Sequence, residues 1–364
     1  MTREISIVRG PLAARENLIR IGTRGSELAV TQTSGVARQI AAATGCEVAL
    51  VIITTKGDTS PAPLAQLGGT GVFVSALRDA LVAGRCDLAV HSLKDLPTGE
   101  CPGITLGAIP ARADSRDALC ARDGLTLDEL PPGARVGTGS PRRSAQLLRR
   151  RPDLEVCDLR GNVDSRLARV GNDLDAVVLA AAGLLRIGRD SAITELFALD
   201  EAPAAPGQGA LAVEVRSIDE PPLAAQLAVA LAALDDPGSR ACALAERSVL
   251  ATLEAGCQAP VGAWARIDGD RLQLTAAVYS VDGAGEVEAS AELAWPGSSA
   301  EQLEAGSERL GAAVAQQLLA GGAARIAPLT LLTGGASHVA GNPAPEPSVT
   351  RTPNTTLVQN GATK

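Results

Sequence analysis

The chain has 364 residues, a length that favours two or three domains over a single core. Hydrophobic residues make up 46% and charged residues 20% of it, which is ordinary for a globular protein, and the formal net charge is -8. The negative charge and the scarcity of aromatic residues, at 1%, argue against a nucleic-acid partner. No apolar run approaches the roughly 20 residues that span a bilayer, and the first residues lack the apolar stretch of a signal peptide. We therefore expect a cytoplasmic protein with no membrane partner.

Cysteine and histidine usage argues against disulfides and metal sites. The seven cysteines are an odd number at scattered positions, which fits reduced thiols better than a disulfide framework. No CxxC pair occurs, and His91 and His338 are the only histidines in the sequence. A zinc site, or any other metal site, is therefore not expected.

Strands and helices alternate in the sequence from Leu18 onward. LIRIGT predicts a strand, and the segment behind Ser26 predicts a helix that ends at Gly45. EVALVIITT predicts a second strand and a Gly- and Pro-rich loop follows it. VFVSALRDALVAG and DLAVHSL then predict another helix and a buried strand. Such alternation is typical of a parallel α/β sheet.

A similar pattern starts again near residue 134. ARVGTGS predicts a strand and loop, and PRRSAQLLRRR predicts a helix with Ser140 as its N-cap and Pro141 at its first position. LEVCDLRG and LDAVVLAAAG predict strands on either side of another helix, and APAAPGQGALAVEVR predicts a return crossover. Two similar halves joined by crossing segments predict a cleft between them.

The character of the sequence changes near residue 235. The helix-like segment GSRACALAERSVLATLEAG precedes the alternating segments RLQLTAAVYS and VEASAELAW and a helix near 300–320. The fold class that we expect is α/β, with two periplasmic-binding-protein-like α/β domains around a cleft plus a small α+β C-terminal domain. The predicted bounds are 19–112 with 211–230 for the first domain, 116–204 for the second and 235–330 for the third, with residues 1–18 and 331–364 disordered.

Arginines recur where a predicted strand passes into a helix. These positions are Arg24 beside Ser26, Arg142 and Arg143 behind Ser140, and Arg160 and Arg166 around the segment GNVDSR. A helix N-terminus attracts an anion, and a guanidinium group grips a carboxylate or phosphate through two hydrogen bonds. In an α/β domain such loops lie at the carboxyl ends of the strands. The sequence therefore predicts a cleft with several anion sites, suited to a polyanionic small molecule.

Solvated surface charge is the alternative interpretation of these arginines. It is favoured for Arg149, Arg150 and Arg151, which follow one another at the end of a predicted helix. It stays open for Arg142 and Arg143.

Two further segments carry groups that suit chemistry. HSLKDLP places Lys94 and Asp95 at the end of a predicted strand. Asp95 is either a turn residue before Pro97 or, if it faces the cleft, a group that stabilises a cation or moves a proton. LEAGCQAP places Cys257 just after a helix end, where it is either a small buried hydrophobe or an accessible, reactive thiol.

A series of segments resembles the porphobilinogen deaminases, a family also called hydroxymethylbilane synthases. The segments are IGTRGSELAVTQ, GGTGVFVSALRDAL, DLAVHSLKDLP, VGTGSPRRSAQL, LRGNVDSRL, AVVLAAAGLLRIG, PGQGALAVE and LEAGCQAP. They occur in the family's order and cover about 19–330 of the chain.

The resemblance implies a transferase of tetrapyrrole (heme) biosynthesis. It would join four porphobilinogen molecules head to tail into hydroxymethylbilane, with release of ammonia at each step. Its primer would be a dipyrromethane cofactor, bound through a thioether to Cys257. Because each pyrrole carries an acetate and a propionate, the growing chain is a polycarboxylate, and the arginines would be its counter-charges. The family further implies a monomer whose product passes to uroporphyrinogen-III synthase.

The resemblance also implies a role for each matching residue. Asp95 would be the catalytic carboxylate, which stabilises the azafulvenium cation formed as ammonia leaves. The residues implied to bind the cofactor are Cys257, Lys94, Ser140, Arg142, Arg143, Arg160, Asn162 and Arg166. Those implied to bind substrate are Arg24, Ser26, Arg186 and Gln208. No metal is implied.

The chain departs from the family's pattern at two places. Gln66 and Thr70 stand where many relatives carry lysines, in a glycine-rich loop that we expect to act as a lid, and GTGS replaces the common GTSS. Two other functions are weighed against the family's. A non-catalytic two-lobed binding module would carry no covalent group. A cysteine-nucleophile hydrolase would need a histidine near Cys257.

Overall fold

The computed structural model describes residues 5–54, 71–217, 224–255, 259–295, 300–327 and 329. The predicted lid with Gln66 and Thr70, the predicted attachment residue Cys257, and the predicted disordered segment 331–364 lie outside the described residues. What the sequence predicts for them stays a prediction.

Strands and helices follow one another in the order that the sequence pattern indicates. The described strands are β1 (Ser6–Arg9), β2 (Leu18–Thr23), β3 (Glu47–Ile52), β4 (Leu88–Ser92), β5 (Ile104–Ala108), β6 (Asp117–Ala121), β7 (Arg135–Gly137), β8 (Glu155–Cys157), β9 (Ala176–Ala180), β10 (Glu195–Leu196), β11 (Leu211–Arg216), β12 (Val261–Asp268), β13 (Arg271–Tyr279) and β14 (Glu286–Ala294). The described α-helices are α1 (Glu27–Thr44), α2 (Gly71–Val82), α3 (Pro141–Arg150), α4 (Val163–Leu167), α5 (Ala181–Arg186), α6 (Ala224–Leu234), α7 (Pro237–Thr252), α8 (Ala300–Ala320) and α9 (Ala323–Ile326). Short 3-10 turns span Leu93–Asp95, Arg122–Gly124 and Asp190–Ala192.

The first sheet has the strand order β1-β3-β2-β4-β11-β5. Strands β1 to β4 pair in parallel, as the alternation of strands and helices predicts. The prediction of a parallel sheet is wrong for β11, which runs antiparallel to both β4 and β5. Leu211, the first residue of β11, pairs with Ser92, the last residue of β4. The chain therefore re-enters this sheet at the carboxyl end of β4. Because β11 starts where β4 ends, the two strands run in opposite directions.

The N-terminal segment departs from the prediction of disorder over residues 1–18. Residues Ser6–Arg9 form β1, whose partners in β3 are Ala49–Ile52. Ile5 packs against the apolar core of the first sheet. An edge strand presents unpaired backbone N–H and C=O groups, and a short apolar segment satisfies them by adding one more strand.

The second sheet has the strand order β10-β6-β9-β7-β8. Strand β7 runs parallel to β8 and β9, whereas β6 runs antiparallel to β9 and β10. The chain crosses between the two sheets twice, once between β5 and β6 and once between β10 and β11. Two α/β sheets joined by a double crossover confirm the predicted two-lobed α/β fold.

The third sheet is antiparallel, with the order β12-β13-β14, and packs with α7 and α8 around an Ala-, Leu- and Val-rich core. It confirms the predicted small α+β part at the C-terminal side, although the sequence pattern did not indicate β12. Tyr279 at the end of β13 is fully buried and clusters with Ala277 and with Ala145 of α3. This cluster joins the third sheet to the second.

Parallel pairing of neighbouring strands brings the predicted site segments together at the carboxyl ends of those strands. Strands β2 and β4 are parallel neighbours. The segment after β2 and the turn Leu93–Asp95 after β4 therefore lie at the same end of the first sheet. Strands β7, β8 and β9 are likewise parallel, so the segments that follow them leave the second sheet together. This topology places the functional segments at the carboxyl ends of strands.

Candidate active site

Three predicted site residues are helix N-caps. Ser26 Oγ accepts a hydrogen bond from the Ala29 backbone N–H at 3.4 Å, and Ser140 Oγ accepts one from the Arg143 N–H at 3.5 Å. The side chain of Asn162 accepts from the Ser165 N–H at 2.8 Å. The N-caps expected at Ser26 and Ser140 are thereby confirmed. Ligand binding by these side chains stays a prediction.

Lys94 and Asp95 lie in the 3-10 turn that directly follows β4. Leu93 of this turn is fully buried and its backbone N–H donates to the Ala210 carbonyl at 3.0 Å, which fixes the turn to the crossover segment. Both Lys94 and Asp95 are partly exposed. Lys94 Nζ donates to Gln208 Oε1 at 3.2 Å. The turn therefore presents one cation and one carboxylate side by side, beside the crossover.

Glycine is required where the crossover segment PGQG passes this turn. Gly207 has φ +77°, and a Cβ there would stand 3.2 Å from the Leu93 side chain and 3.4 Å from the Lys94 backbone nitrogen. Gly207 N–H donates at 2.7 Å to Glu246 Oε2, which lies on α7 and is fully buried. Arg112 donates to the other oxygen of Glu246 at 2.6 Å. Glu246, to which the sequence pattern assigns no role, therefore anchors the segment that carries Gln208.

Asp117 is the centre of a buried polar network that the sequence pattern does not reveal. Arg142 Nη2 donates to Asp117 Oδ2 at 2.8 Å, and Arg143 donates to Oδ1 through Nε at 3.0 Å and Nη2 at 2.6 Å. Gln208 Nε2 donates to the same Oδ1 at 2.8 Å. Asp117, Arg142, Arg143 and Gln208 are 1%, 2%, 8% and 1% exposed. One carboxylate thus holds two arginines and the glutamine that contacts Lys94.

The sequence around Asp117 indicates that this side chain needs a partner, although it does not indicate which one. It is the first residue of the apolar strand β6, DALCA, and an ionised carboxylate in such a strand requires a cationic partner. Its partners lie 25 and 26 residues further along the chain, in the first turn of α3. The local sequence therefore shows that Asp117 needs a partner, but it does not show which residues are the partners.

Cations outnumber carboxylates in this part of the molecule, and the pKa values reflect it. Burial, followed by repulsion from Arg143, lowers the pKa of Lys94 to about 8. Burial, followed by repulsion from Arg143 and then Arg160, lowers the pKa of Arg166. For Asp117 burial acts to raise the pKa, but attraction from Arg142 and Arg143 outweighs burial and holds it well below its usual range. Lys94, Arg143 and Arg166 thus share one positive electrostatic field.

The remaining predicted arginines lie around this network at different depths. Arg160 is exposed, with its Nε 3.4 Å from Asp158 Oδ2, and Arg166 Nε donates to the Gly161 carbonyl at 2.8 Å. Arg186 closes α5 and its Nη2 donates at 2.7 Å to the Gly209 carbonyl, next to Gln208. Arg24 is partly exposed in the segment between β2 and α1. Hydrogen bonds therefore join Lys94 and Arg143 directly to Gln208, and Arg142 to both through Asp117, whereas the other arginines surround them.

The three arginines at the end of α3 form surface ion pairs, as expected. Arg150 pairs with Asp128 at 2.7 Å, Arg151 pairs with Asp153 at 2.7 Å, and Arg149 pairs with Glu286. Each has its own carboxylate, so these positions add no unbalanced charge.

Within the described part of the chain, no group of three or more His, Cys, Asp or Glu side chains is arranged to hold a metal ion. In the same part of the chain, every helix is too short or too polar to cross a bilayer.

Comparison with known proteins gives two family matches that follow one another along the chain. Residues 19–223 match the porphobilinogen deaminase dipyromethane cofactor binding domain, and residues 240–320 match the porphobilinogen deaminase C-terminal domain. Among solved structures, immunogenic lipoprotein A from Vibrio vulnificus aligns over 59% of this chain and 94% of its own at 12% identity. The TM-score of this alignment is 0.37.

Full-length relatives give the same result. The porphobilinogen deaminase of Leifsonia xyli is 57% identical over 321 residues, which are 88% of this chain and 97% of the relative. That of Cutibacterium acnes is 51% identical, over 85% of this chain and 97% of its own. That of Thermobifida fusca is 56% identical, over 74% of this chain and 84% of its own. The chain is a member of the porphobilinogen deaminase family.

Proposed function

We propose that the chain joins four porphobilinogen molecules head to tail into hydroxymethylbilane and releases one ammonia at each condensation. The observation that carries this proposal is the position of Asp95 beside Lys94, which is linked in turn to two buried arginines that share one carboxylate. Lys94 follows the same strand as Asp95 and is joined through Gln208 to Asp117 and Arg143. A pyrrole with two carboxylates needs cations for its side chains and one carboxylate for its reacting end, and this arrangement supplies both.

The dipyrromethane cofactor fits the residues that are present. Arg143 repels both Lys94 and Arg166 and contributes to their lowered pKa values, so a polycarboxylate placed among these cations relieves repulsion. In addition, Arg142 Nε is buried and has no hydrogen-bond partner among the described residues. A buried donor without a partner costs free energy that an anionic ligand would recover. When bound, the cofactor supplies the nucleophilic pyrrole carbon for the first condensation.

The residues that would hold the cofactor lie on both α/β sheets. We propose Lys94 from the first sheet and Arg143 and Arg166 from the second as the main counter-charges, because these three share one field. Ser140, Arg142, Arg160 and Asn162 would complete the set. Cys257 as the point of attachment rests on the family resemblance.

Asp95 is proposed to act on the incoming substrate. As ammonia leaves the aminomethyl group of porphobilinogen, positive charge develops on the ring, and a nearby carboxylate stabilises it by charge and by a hydrogen bond to the pyrrole N–H. The same carboxylate then accepts the proton that is lost after the new carbon–carbon bond forms. Its position beside Lys94 supports this role, because the cations proposed to hold the carboxylates of the substrate would then lie next to it.

Arg24, Ser26, Arg186 and Gln208 are proposed to bind the substrate. For Gln208 the contacts support an additional role, because its Oε1 accepts from Lys94 and Arg143 while its Nε2 donates to Asp117. Gln208 would therefore orient two cations, one from each sheet. We further propose a cytoplasmic monomer that passes hydroxymethylbilane to uroporphyrinogen-III synthase, and light scattering of the purified protein would test the monomer.

The decisive experiment is the intact mass of the denatured protein after expression with a supply of porphobilinogen. The wild type should carry the added mass of one dipyrromethane, and Cys257→Ala should lack it. Cys101→Ala is the matched control, because Cys101 is a partly exposed thiol elsewhere in the chain and its loss should leave the added mass in place. An unmodified, folded wild-type protein would contradict the proposal.

A further inference from the structure

Arg247 on α7 contacts the backbone on both sides of Asp95. Its Nη1 donates to the carbonyls of Leu93 at 3.3 Å and Leu96 at 2.8 Å, and its Nη2 donates to the Pro97 carbonyl at 2.7 Å. Arg247 is separated from these residues by 150 to 154 positions in the sequence. A single side chain of the third part of the molecule therefore grips the turn that carries Lys94 and Asp95.

Apolar packing acts on the same turn from the same helix. Leu93, Leu96 and Ala243 belong to one buried cluster, and they are 0%, 4% and 0% exposed. Ala243 precedes Arg247 by one helical turn, so both side chains lie on one face of α7. This face of α7 therefore holds the turn by packing and by hydrogen bonds together.

The carbonyls of Leu96 and Pro97 lie at and just beyond the end of the turn, where no further helical N–H group is available to pair with them. The Leu96 N–H donates to the Leu93 carbonyl at 3.1 Å and closes this turn. A charged donor at the end of a helical turn also interacts favourably with the carbonyl dipoles. Without Arg247, the peptide groups of Leu96 and Pro97 lose an ordered partner, and the backbone that positions Asp95 is freed on one side.

We propose that Arg247 is a positioning residue, which fixes the Asp95 carboxylate relative to α7. The helix ends at Thr252, and Cys257 follows five residues later in the sequence. The turn that carries the reacting carboxylate would then be fixed to one helix of the third part of the molecule. This inference rests on the proposed role of Asp95.

The test compares Arg247→Met and Arg247→Lys with Arg240→Met. Arg240 is the matched control because it lies on the same helix and is partly buried, but it bonds Asp235, Glu304 and the Gly107 carbonyl instead. A displacement of about 1 Å at a reacting group costs about a hundredfold in rate. We therefore expect Arg247→Met to lower kcat about a hundredfold with KM within about threefold, and Arg247→Lys to recover part of the loss.

Folding and cofactor loading are measured on the same samples. Thermal unfolding should show a similar loss of stability for Arg247→Met and Arg240→Met, and intact mass should show dipyrromethane on both. Arg240→Met should keep kcat within about twofold of wild type. If Arg247→Met does not fold, Arg247→Lys carries the comparison, and a kcat at least fivefold below that of Arg240→Met is expected.

Asp95→Asn separates failure of this inference from failure of the proposed function. If Asp95→Asn folds and turns over normally, the role of Asp95 is wrong. If Asp95→Asn is inactive but the folded Arg247 variants keep the kcat of the Arg240 control, Arg247 only stabilises the fold and the inference is overturned.

Discussion

The first and last turns of α3 carry the same residue type in opposite environments. Arg142 and Arg143 in the first turn are buried and share one carboxylate, Asp117. Arg149 and Arg150 in the last turn are more exposed, and each has a separate acidic partner. In the last turn charge is balanced and screened by water, so little net field remains. In the first turn two cations face one anion at low exposure, so a positive field persists and is available to an anionic ligand.

The comparison explains how an acidic protein can bind a polycarboxylate. The net charge of -8 describes the whole surface, whereas a ligand among buried groups responds to the local imbalance. Lys94, after a strand of the first sheet, and Arg166, after a strand of the second, add two further positive charges to this imbalance. Arg143 in the first turn of α3 repels both of them. We therefore propose that the position of an arginine along this helix decides whether it binds the ligand or pairs with a carboxylate at the surface.

Of the changes considered, removal of the shared carboxylate Asp117 should have the largest effect, and this effect is on the unfolding free energy. Asp117→Asn keeps the size of the side chain but leaves Arg142 and Arg143 buried without a counter-charge. Breaking a buried ion pair in this way costs about 3–5 kcal/mol of unfolding free energy. Urea unfolding of the cofactor-free protein would measure it, with Asp128→Asn, the partner of Arg150, as the control. An equal and small loss of unfolding free energy in both variants would show that the ion pairs of the first and last turns of α3 contribute alike to stability.

Removing one arginine of the first turn should separate ligand binding from stability. Arg142→Leu is expected to lower the fraction of protein that carries dipyrromethane at least tenfold under limiting porphobilinogen, because a buried counter-charge and an unpaired donor are lost together. Intact mass measures this fraction. Arg149→Leu is the matched control from the last turn and should load fully. Full loading of folded Arg142→Leu would assign Arg142 to the fold alone.

The pH dependence of loading should report on Lys94. Because the pKa of Lys94 is lowered to about 8 in the free protein, this side chain is charged below that pH and neutral above it. A neutral amine attracts no carboxylate, so the initial rate of cofactor attachment should fall as the pH rises from 7 to 9. Lys94→Arg stays charged over this range and should flatten the profile. Identical profiles for the wild type and Lys94→Arg would rule out titration of Lys94 as the cause.

The smallest effect is expected at the end of the helix. Arg150→Met removes partly exposed ion pairs with Asp128 and Glu195, which should change the unfolding free energy by less than about 1 kcal/mol. Cofactor loading and kcat should both match the wild type. A loss of loading here would mean that the field of the last turn also reaches the ligand.

The sequence by itself determined the local features of this protein. The caps at Ser26 and Ser140 follow from side chains that accept from backbone N–H groups three residues away. The helix end at Gly45 follows from its left-handed φ, the helix start at Pro141 from the fixed φ of proline, and most strands from short apolar runs. The segment order also determined the family resemblance, which the family matches over 19–223 and 240–320 confirm. These signals are readable because their physical partners lie within one turn of the chain.

Tertiary structure alone decided which distant groups meet. The pairing of Asp117 with Arg142 and Arg143, the anchoring of Gly207 by Glu246, and the grip of Arg247 on the turn of Asp95 all join separate elements. The reversed direction of β11, which lies between β4 and β5, and the addition of β1 beside β3 likewise depend on where distant segments meet the sheet. A side chain specifies that it needs a partner of a given charge or shape. The packing of whole sheets and helices then determines which partner is within reach, and no local pattern encodes that choice.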